Sequence, residues 1–135
     1  MNFAALTPWA PRTLSILRIM AGLLFLQHGL QKYLGFPAPA PANMSALLYV
    51  QGAIEIIGGI LLTIGLFTRY AAFIMAGDMA VAYFMAHFPR SFFPLVNNGN
   101  LAVLYCFVFL YIFFAGPGPW SVDSMWERAR KTVVA

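Results

Sequence analysis

The residues of this sequence that could do chemistry are charged and amide side chains inside otherwise apolar runs. Glu55 lies near the middle of the apolar run 49–72, and the glycine pair Gly58 and Gly59 follows one helical turn later. A carboxylate is costly in lipid, so Glu55 is expected to face protein and to have a function. The two glycines would let a neighbouring backbone come close beside that face.

Two further charged residues, Arg18 and Asp78, also lie inside apolar runs. At a rise of about 1.5 Å per residue, Glu55 and Asp78 come out roughly 15–18 Å from their span ends, and Arg18 about 8 Å from its own. We therefore predict a buried polar centre of Arg18, Glu55 and Asp78, in which the arginine pairs with a carboxylate. Two alternatives stay open: the pair only fixes helix register, or Asp78 is protonated and merely hydrogen-bonded.

A second polar layer is predicted nearer the outer face of the membrane. Gln51 lies one turn from Glu55 on the same helix face, and His28 comes out at a similar depth, roughly 23 Å along its span. Gly29, directly after His28, indicates a close approach between helices. Lys32 is interpreted mainly as an interface anchor whose ammonium group snorkels outward. The predicted outer layer comprises His28, Lys32, Gln51, His87 and Asn100.

Haem and metal binding are disfavoured interpretations of these residues. His28 and His87 could ligate a haem from different spans, but their depths differ by roughly 5 Å and no haem-attachment pattern is present. Cys106 is the only cysteine, which excludes an intrachain disulfide and a thiolate metal cluster. We predict no metal site. The aromatic rows of the fourth apolar run are interpreted mainly as lipid-facing and bundle packing, with a quinone or another flat lipid against them as the alternative.

The composition indicates that membrane helices position these groups. The 135 residues are 61% hydrophobic and 9% charged, with a mean hydropathy of +0.78, whereas soluble domains carry about 25% charged residues. Four spans of about 20 residues would leave too little chain for a separate soluble domain. We predict one integral membrane domain over residues 1–135. The basic residues are scattered at span edges, which does not indicate nucleic-acid binding.

Breaks in the hydrophobic pattern divide the chain into four predicted spans and a short final helix. Residues 1–11 are interpreted as a short tail without the basic region of a cleaved signal peptide, so the first span is expected to be retained. The final helix is amphipathic and carries a basic cluster, so it is expected to lie on an anionic membrane face. The predicted spans are 13–33, 45–67, 68–88 and 99–115, and the interfacial helix covers about 121–133.

The predicted fold class is therefore an all-α polytopic membrane protein, a four-transmembrane-helix bundle with a short C-terminal amphipathic interfacial helix. Four spans place both termini on one side of the membrane. That side carries five basic residues outside the spans and the other side two. The positive-inside rule then predicts cytoplasmic termini in a multi-pass protein of the cell (plasma or inner) membrane.

Over about residues 12–125, the sequence resembles the DoxX family of small four-span membrane proteins. The resemblance rests on LRIMAGLLFLQHGLQK in the first span, EIIGGILLTIGLFTRYAA in and after the second, and GPGPWSVD after the fourth. Asn100 departs from the pattern, since many relatives carry an acidic residue there, and a step that uses that acid would differ here. The matching positions are Arg18, His28, Gly29, Lys32, Glu55, Gly58, Gly59, Gly65, Thr68, Arg69, Gly116, Gly118, Ser121 and Asp123.

The resemblance implies a membrane redox role. Family members are associated with quinone-linked oxidation of sulfur compounds or with oxidative and thiol stress, commonly as the membrane partner of another protein. The leading hypothesis is a membrane subunit of a redox system, without a self-contained catalytic motif, that binds a quinone-like lipid or couples protons to a partner oxidoreductase. Glu55 would bear the proton, Arg18 would be its partner, and His28 would donate a hydrogen bond to a carbonyl.

Two alternatives from other classes use the same polar interior. One is a small transporter for a weak acid or an apolar metabolite. The other is a membrane assembly or scaffold protein whose buried charges only set helix packing. The expected partners are membrane lipids, another redox protein and a second copy of the chain in a homo-oligomer, and nucleic acid is not expected.

Overall fold

The computed structural model describes residues 3–134, and the regular secondary structure in this range is entirely helical. Its elements are a 3-10 helix (Phe3–Trp9), α1 (Ala10–Leu34), α2 (Ala46–Ile64), α3 (Thr68–Ala82), α4 (Asn100–Ala115) and α5 (Val122–Val134). Beyond α3 the chain continues through a π-helical turn, Tyr83–His87, and a 3-10 turn, Phe88–Arg90.

Two boundaries differ from the predicted spans. The short tail predicted over residues 1–11 is wrong for its described part, because Phe3–Trp9 is helical and α1 already begins at Ala10. Pro11 is compatible with this start. Proline lacks a backbone N–H, but the N–H groups of the first helical turn have no acceptor within the helix, so none is lost. The second span ends at Ile64 and not at 67, because Gly65 adopts a left-handed conformation with φ 71° that terminates α2.

The lengths and exposed surfaces of the helices fit a membrane. Three stretches are long and apolar enough to cross one: Phe3–Leu34, Ala46–Ile64 and Thr68–Arg90. α4 is apolar but has 16 residues, which span about 24 Å at about 1.5 Å per residue. Large apolar side chains such as Ile57 and Phe107 are 61% and 64% exposed, as contact with lipid requires. The predicted all-helical membrane bundle is confirmed.

The helices pack in chain order. α1 packs along α2 and α3 along α4, a smaller contact joins α2 to α3, and α1 touches α4 only slightly. The bundle is therefore least closed between α1 and α4. We call its two ends the tail end, formed by the connections 65–67 and 116–121, and the loop end, formed by residues 35–45 and 91–99.

Glycines set the register of α1 against α2. Gly22 faces Gly59, and Gly29 faces Gly52 so closely that a Cβ at Gly29 would lie 2.8 Å from the Gly52 carbonyl oxygen. The two contacts are seven residues apart on both helices, so the close approach repeats every two turns. Gly58 packs against α3 instead. The structure thus places the three glycines predicted to pack closely at helix contacts, and it adds Gly22 and Gly52.

Charged side chains cap two helix termini at the tail end. The Asp123 carboxylate accepts the backbone N–H groups of Phe67 and Thr68 at 2.9 and 2.8 Å, at the start of α3. Arg69 donates to the backbone carbonyls of Phe113 and Phe114 at 2.5 and 2.8 Å, at the end of α4. Each charge opposes the partial charge of the helix terminus that it contacts, so both contacts stabilise the bundle.

α5 corresponds to the predicted interfacial helix. The Ser121 hydroxyl accepts the backbone N–H of Ser124 at 3.1 Å and so caps its start. Trp126 lies against Phe67, with ring centroids 6.3 Å apart. These contacts, together with the Asp123 cap, attach α5 to the tail end of the bundle.

Candidate functional site

Arg18 is fully buried and acts at the tail end of the bundle. The last carbonyls of α2 have no helical partners and need an external donor. The Arg18 guanidinium donates to these carbonyls and to the 116–121 connection at once, which ties the two segments together. Its acceptors are the backbone oxygens of Leu62, Thr63 (3.0 Å), Pro117 (2.8 Å) and Trp120 (2.5 Å).

The prediction that Arg18 pairs with Glu55 or Asp78 is therefore wrong. The antiparallel register places the Arg18 guanidinium beside Gly65, about 15 Å along α2 from Glu55. That distance is too long for the side chain to bridge while it also binds the end of α2. The carboxylate that acts on Arg18 electrostatically is Asp123.

Lys32, and not Arg18, is the cation that faces the carboxylates. Its Nζ lies 2.6 Å from Glu55 Oε1 and 3.0 Å from Gln51 Oε1. The side chains of Lys32 and Glu55 are 12% and 3% exposed, so this ion pair is largely withdrawn from its surroundings. The interpretation of Lys32 as an outward-pointing anchor is wrong, because the buried carboxylate draws the ammonium group inward.

Asp78 of α3 lies beside this ion pair. It interacts electrostatically with Lys32 and Glu55, and it also interacts with the Gln51 side chain. We call Lys32, Gln51, Glu55 and Asp78 the charged cluster. Two of its buried oxygens, Glu55 Oε2 and Asp78 Oδ2, have no hydrogen-bond partner among the described residues. Because unpartnered buried oxygens are costly, both positions suit a proton. Glu55 also lines the cavity described next, so its Oε2 suits a polar group of a ligand as well.

A cavity of about 200 Å³ adjoins the charged cluster. His28 lines it from α1, Gln51 and Glu55 from α2, and His87 from the π-helical turn. The cavity thus brings together three residues of the predicted outer polar layer with Glu55 of the predicted buried polar centre. The other lining residues are Phe25, Met79, Ala82, Asn98, Leu101, Ala102 and Tyr105.

His87 is the last residue of the π-helical turn and lines this cavity. A π turn is wound more widely than an α-helix and redirects the residues that follow it. The His87 ring is held to the loop end, since its Nδ1 lies 3.0 Å from the Asn97 carbonyl oxygen. Residues 3–134 contain no group of three or more His, Cys, Asp or Glu side chains placed to hold a metal ion. The imidazole, amide and carboxyl groups at the cavity suit the carbonyls or hydroxyls of an organic ligand.

The assignment of Asn100 to the polar layer is wrong. α4 begins at this residue, whose side chain is exposed and does not line the cavity. Asn98 lines the cavity instead, and Asn97 is only 1% exposed. The Asn97 side chain holds the loop together: its amide donates to the Ser91 carbonyl at 2.8 Å, and its oxygen accepts the Gly99 N–H at 2.7 Å.

A groove of about 310 Å³ between α1 and α4 adjoins the cavity. The groove and the cavity share His28, Leu101 and Tyr105 as lining residues, so they lie side by side. Gln27 and Gln31 of α1 line the groove further out. Because α1 touches α4 only slightly, the groove forms a lateral opening towards the charged cluster.

A second, more apolar groove of about 420 Å³ lies between α2 and α3. Its walls include Tyr49, Ile57 and Ile74, and no member of the charged cluster lines it. The groove is the larger of the two but offers no charged partner, so it suits an acyl chain better than a polar head group.

Comparisons with known proteins agree with this architecture. The sequence profile of the DoxX family matches residues 13–88. An uncharacterized protein of Haemophilus influenzae is 44% identical over 126 residues, which cover 88% of this chain and 94% of the relative. A Bacillus subtilis protein named "Putative oxidoreductase CatD" is 36% identical over 121 residues, 86% of this chain and 88% of the relative.

A more distant relative carries the term "membrane protein" in its name. An uncharacterized membrane protein of Mycobacterium tuberculosis is 24% identical over 131 residues, which cover 84% of this chain and 80% of the relative. No solved structure matches the chain. The profile match over more than half of the sequence and the two relatives above 30% identity lead to one conclusion: this chain belongs to the DoxX family.

Proposed function

We propose that this protein is the membrane subunit of a redox system and that it binds a quinone-like lipid in the cavity beside the charged cluster. The observation that carries the proposal is that this cavity adjoins the lateral groove, with which it shares His28, Leu101 and Tyr105. Family membership and the similarity to the Bacillus subtilis protein that is named "Putative oxidoreductase CatD" support the redox part.

The site suits an amphiphile with a compact polar head. His28, Gln51 and His87 offer hydrogen-bond donors and acceptors to a ring carbonyl or hydroxyl. Phe25 and Tyr105 pack edge to face at 5.3 Å between centroids and give an aromatic wall for a flat ring. An apolar tail attached to that ring would leave through the groove between α1 and α4 into the lipid.

In this proposal a partner oxidoreductase supplies the electrons. Reduction of a quinone to a quinol takes two electrons from the partner and two protons from the protein or water. Lys32 replaces Arg18 as the ionic partner of Glu55, and the charged cluster as a whole takes the proton-coupling role that the sequence-based hypothesis assigned to Glu55. His28 keeps the expected role of a hydrogen-bond donor to a carbonyl.

A four-span topology with cytoplasmic termini in the cell membrane belongs to the same proposal. α4 would form the fourth span, with local thinning of the bilayer to match its short length, and α5 would lie on the cytoplasmic face. Lys32 is buried in the bundle, so Arg90 is the basic residue left at the loop end. The tail end carries Arg12, Arg69, Arg128, Arg130 and Lys131. Reporter fusions after residue 42 and at the C-terminus test this topology, and identical sidedness of the two would overturn it.

Binding of a short-tailed quinone analogue to the full chain in lipid nanodiscs tests the main proposal. We expect saturable binding that His28→Ala and Gln51→Leu each weaken about tenfold, since a lost hydrogen bond costs about 1–1.5 kcal/mol. Asn100→Ala is the matched control, because this side chain is exposed and outside the cavity. Absence of saturable binding, or equal weakening by the control, would contradict the proposal.

The transporter alternative would require a path through the tail end. On that side of the cavity, Leu62, Met75, Phe109 and Ile112 are each 0% exposed and fill the core. Flux of a weak acid into liposomes that contain only this protein would favour the transporter over the quinone-binding subunit.

A further inference from the structure

The charged cluster contains more carboxylates than cations. Lys32 is its one basic side chain, whereas Glu55 and Asp78 are both acidic. With neutral histidines, one positive and two negative charges leave a net charge of −1. A buried net charge inside a membrane protein is costly, so the cluster is expected to acquire one compensating positive charge.

The two carboxylates are not equivalent. Glu55 Oε1 contacts the Lys32 ammonium group at 2.6 Å, which is the one ion pair within 4.0 Å among residues 3–134. Asp78 has no such contact. Each carboxylate has one buried oxygen without a hydrogen-bond partner among the described residues, Glu55 Oε2 and Asp78 Oδ2, so the contact with Lys32 is what distinguishes the two. The lysine therefore compensates Glu55 directly and leaves Asp78 as the carboxylate in excess.

We propose that Asp78 is a proton-binding site: at neutral pH its carboxyl group holds an exchangeable proton that makes the charged cluster neutral. The leading sequence-based hypothesis assigned the coupled proton to Glu55 and left a protonated Asp78 as an alternative, and the ion pair between Glu55 and Lys32 favours Asp78. The other titratable groups of the surroundings are His28 on α1, His87 on the π-helical turn and Tyr105 on α4.

The proton site does not require a bound quinone. Only its use rests on the proposed function, in which Asp78 would provide one of the two protons that a quinone takes up together with two electrons. A positive charge on His28 or His87, or a bound metal cation, would neutralise the cluster without a proton on Asp78, and the experiment below distinguishes these cases.

Infrared spectroscopy of the quinone-free full chain in nanodiscs tests the proposal. The whole sequence has four acidic side chains, so the stretching band of a protonated carboxyl group is simple to assign. At neutral pH we expect one such band, which shifts in D2O and disappears in Asp78→Asn. The exposed Glu127→Gln is the matched control and should keep the band unchanged.

Two further variants keep the result interpretable if Asp78→Asn does not fold. Asp78→Glu should keep a band at a shifted frequency, and Lys32→Met should approximately double the band, because Glu55 then also has to take up a proton. Absence of the band from the wild type, a band that does not shift in D2O, or a band lost in Glu55→Gln and kept in Asp78→Asn would overturn the proposal. Failure of quinone binding with the band present would affect only the proposed function.

Discussion

Replacement of Lys32 by methionine probes the charged cluster most sharply. The ammonium group contacts Glu55 at 2.6 Å and Gln51 at 3.0 Å, and both side chains of the ion pair are nearly buried. Removal of one partner of a buried ion pair costs about 3–5 kcal/mol. Methionine keeps most of the side-chain volume, so the loss should come from the uncompensated carboxylate and not from a cavity.

The cost should depend on pH. In Lys32→Met, Glu55 has to take up a proton to stay buried, so the native state of the variant binds one proton more than the native state of the wild type. Stability relative to the wild type should then fall by up to about 1.4 kcal/mol for each pH unit above the ordinary titration range of glutamate. The double variant Lys32→Met/Glu55→Gln has no such carboxylate and should recover about 2 kcal/mol or more of the loss at neutral pH.

Equilibrium unfolding in mixed micelles at several pH values measures these free energies. Lys131→Met is the matched control, because Lys131 is exposed on α5, and it should change stability by less than about 0.5 kcal/mol. If Lys32→Met were as stable as the wild type at every pH, or if the double variant recovered nothing, the interpretation of Lys32 and Glu55 as a buried ionised pair would be refuted.

Three other substitutions test the packing around the site by the same unfolding assay. Gly29→Ala should cost about 1–3 kcal/mol, because its Cβ would lie 2.8 Å from a carbonyl oxygen of α2, whereas Gly77→Ala, with nothing within 4 Å, should be neutral or slightly stabilising. Arg18→Met should cost about 3 kcal/mol or more and should speed hydrogen exchange in the 116–121 connection; unchanged exchange would contradict its clamping role. Asp123→Ala should cost about 1–2 kcal/mol through the lost cap of α3, and a similar loss in the exposed Glu127→Ala would show that the cap is not responsible.

The sequence was sufficient for the membrane bundle because that prediction depends on long apolar runs, which lipid imposes directly. It also indicated correctly that Glu55 is buried, since an isolated carboxylate in an apolar run has to face protein. It did not identify the cation. Arg18 and Lys32 are equivalent by charge, and depth estimates counted from uncertain span ends favoured Arg18.

A signal that could have decided between the two cations was present in the sequence. Gly22 and Gly29 are seven residues apart on α1, as are Gly52 and Gly59 on α2. Antiparallel packing of the α1 glycines against the α2 glycines places Lys32 level with Gln51, one turn from Glu55. The same register places Arg18 at the end of α2.

The loop end was less predictable for a physical reason. Asn97, Asn98 and Asn100 are chemically identical, and only the fold of the loop decides which one is buried, which lines the cavity and which is exposed. The π-helical turn that precedes this loop has no reliable signature in a single sequence. The position of His87 therefore depended on tertiary structure.

In the proposed function, a ligand reaches the charged cluster between α1 and α4. Photo-crosslinking of a light-activated quinone analogue to the full chain in nanodiscs, followed by peptide mapping, tests it most directly. We predict labelled residues within 24–31 of α1 and 101–105 of α4, with less labelling after competition by unlabelled quinone. Labelling confined to the groove between α2 and α3, around Tyr49 and Ile57, or labelling that the competitor does not reduce, would show that the ligand does not bind between α1 and α4.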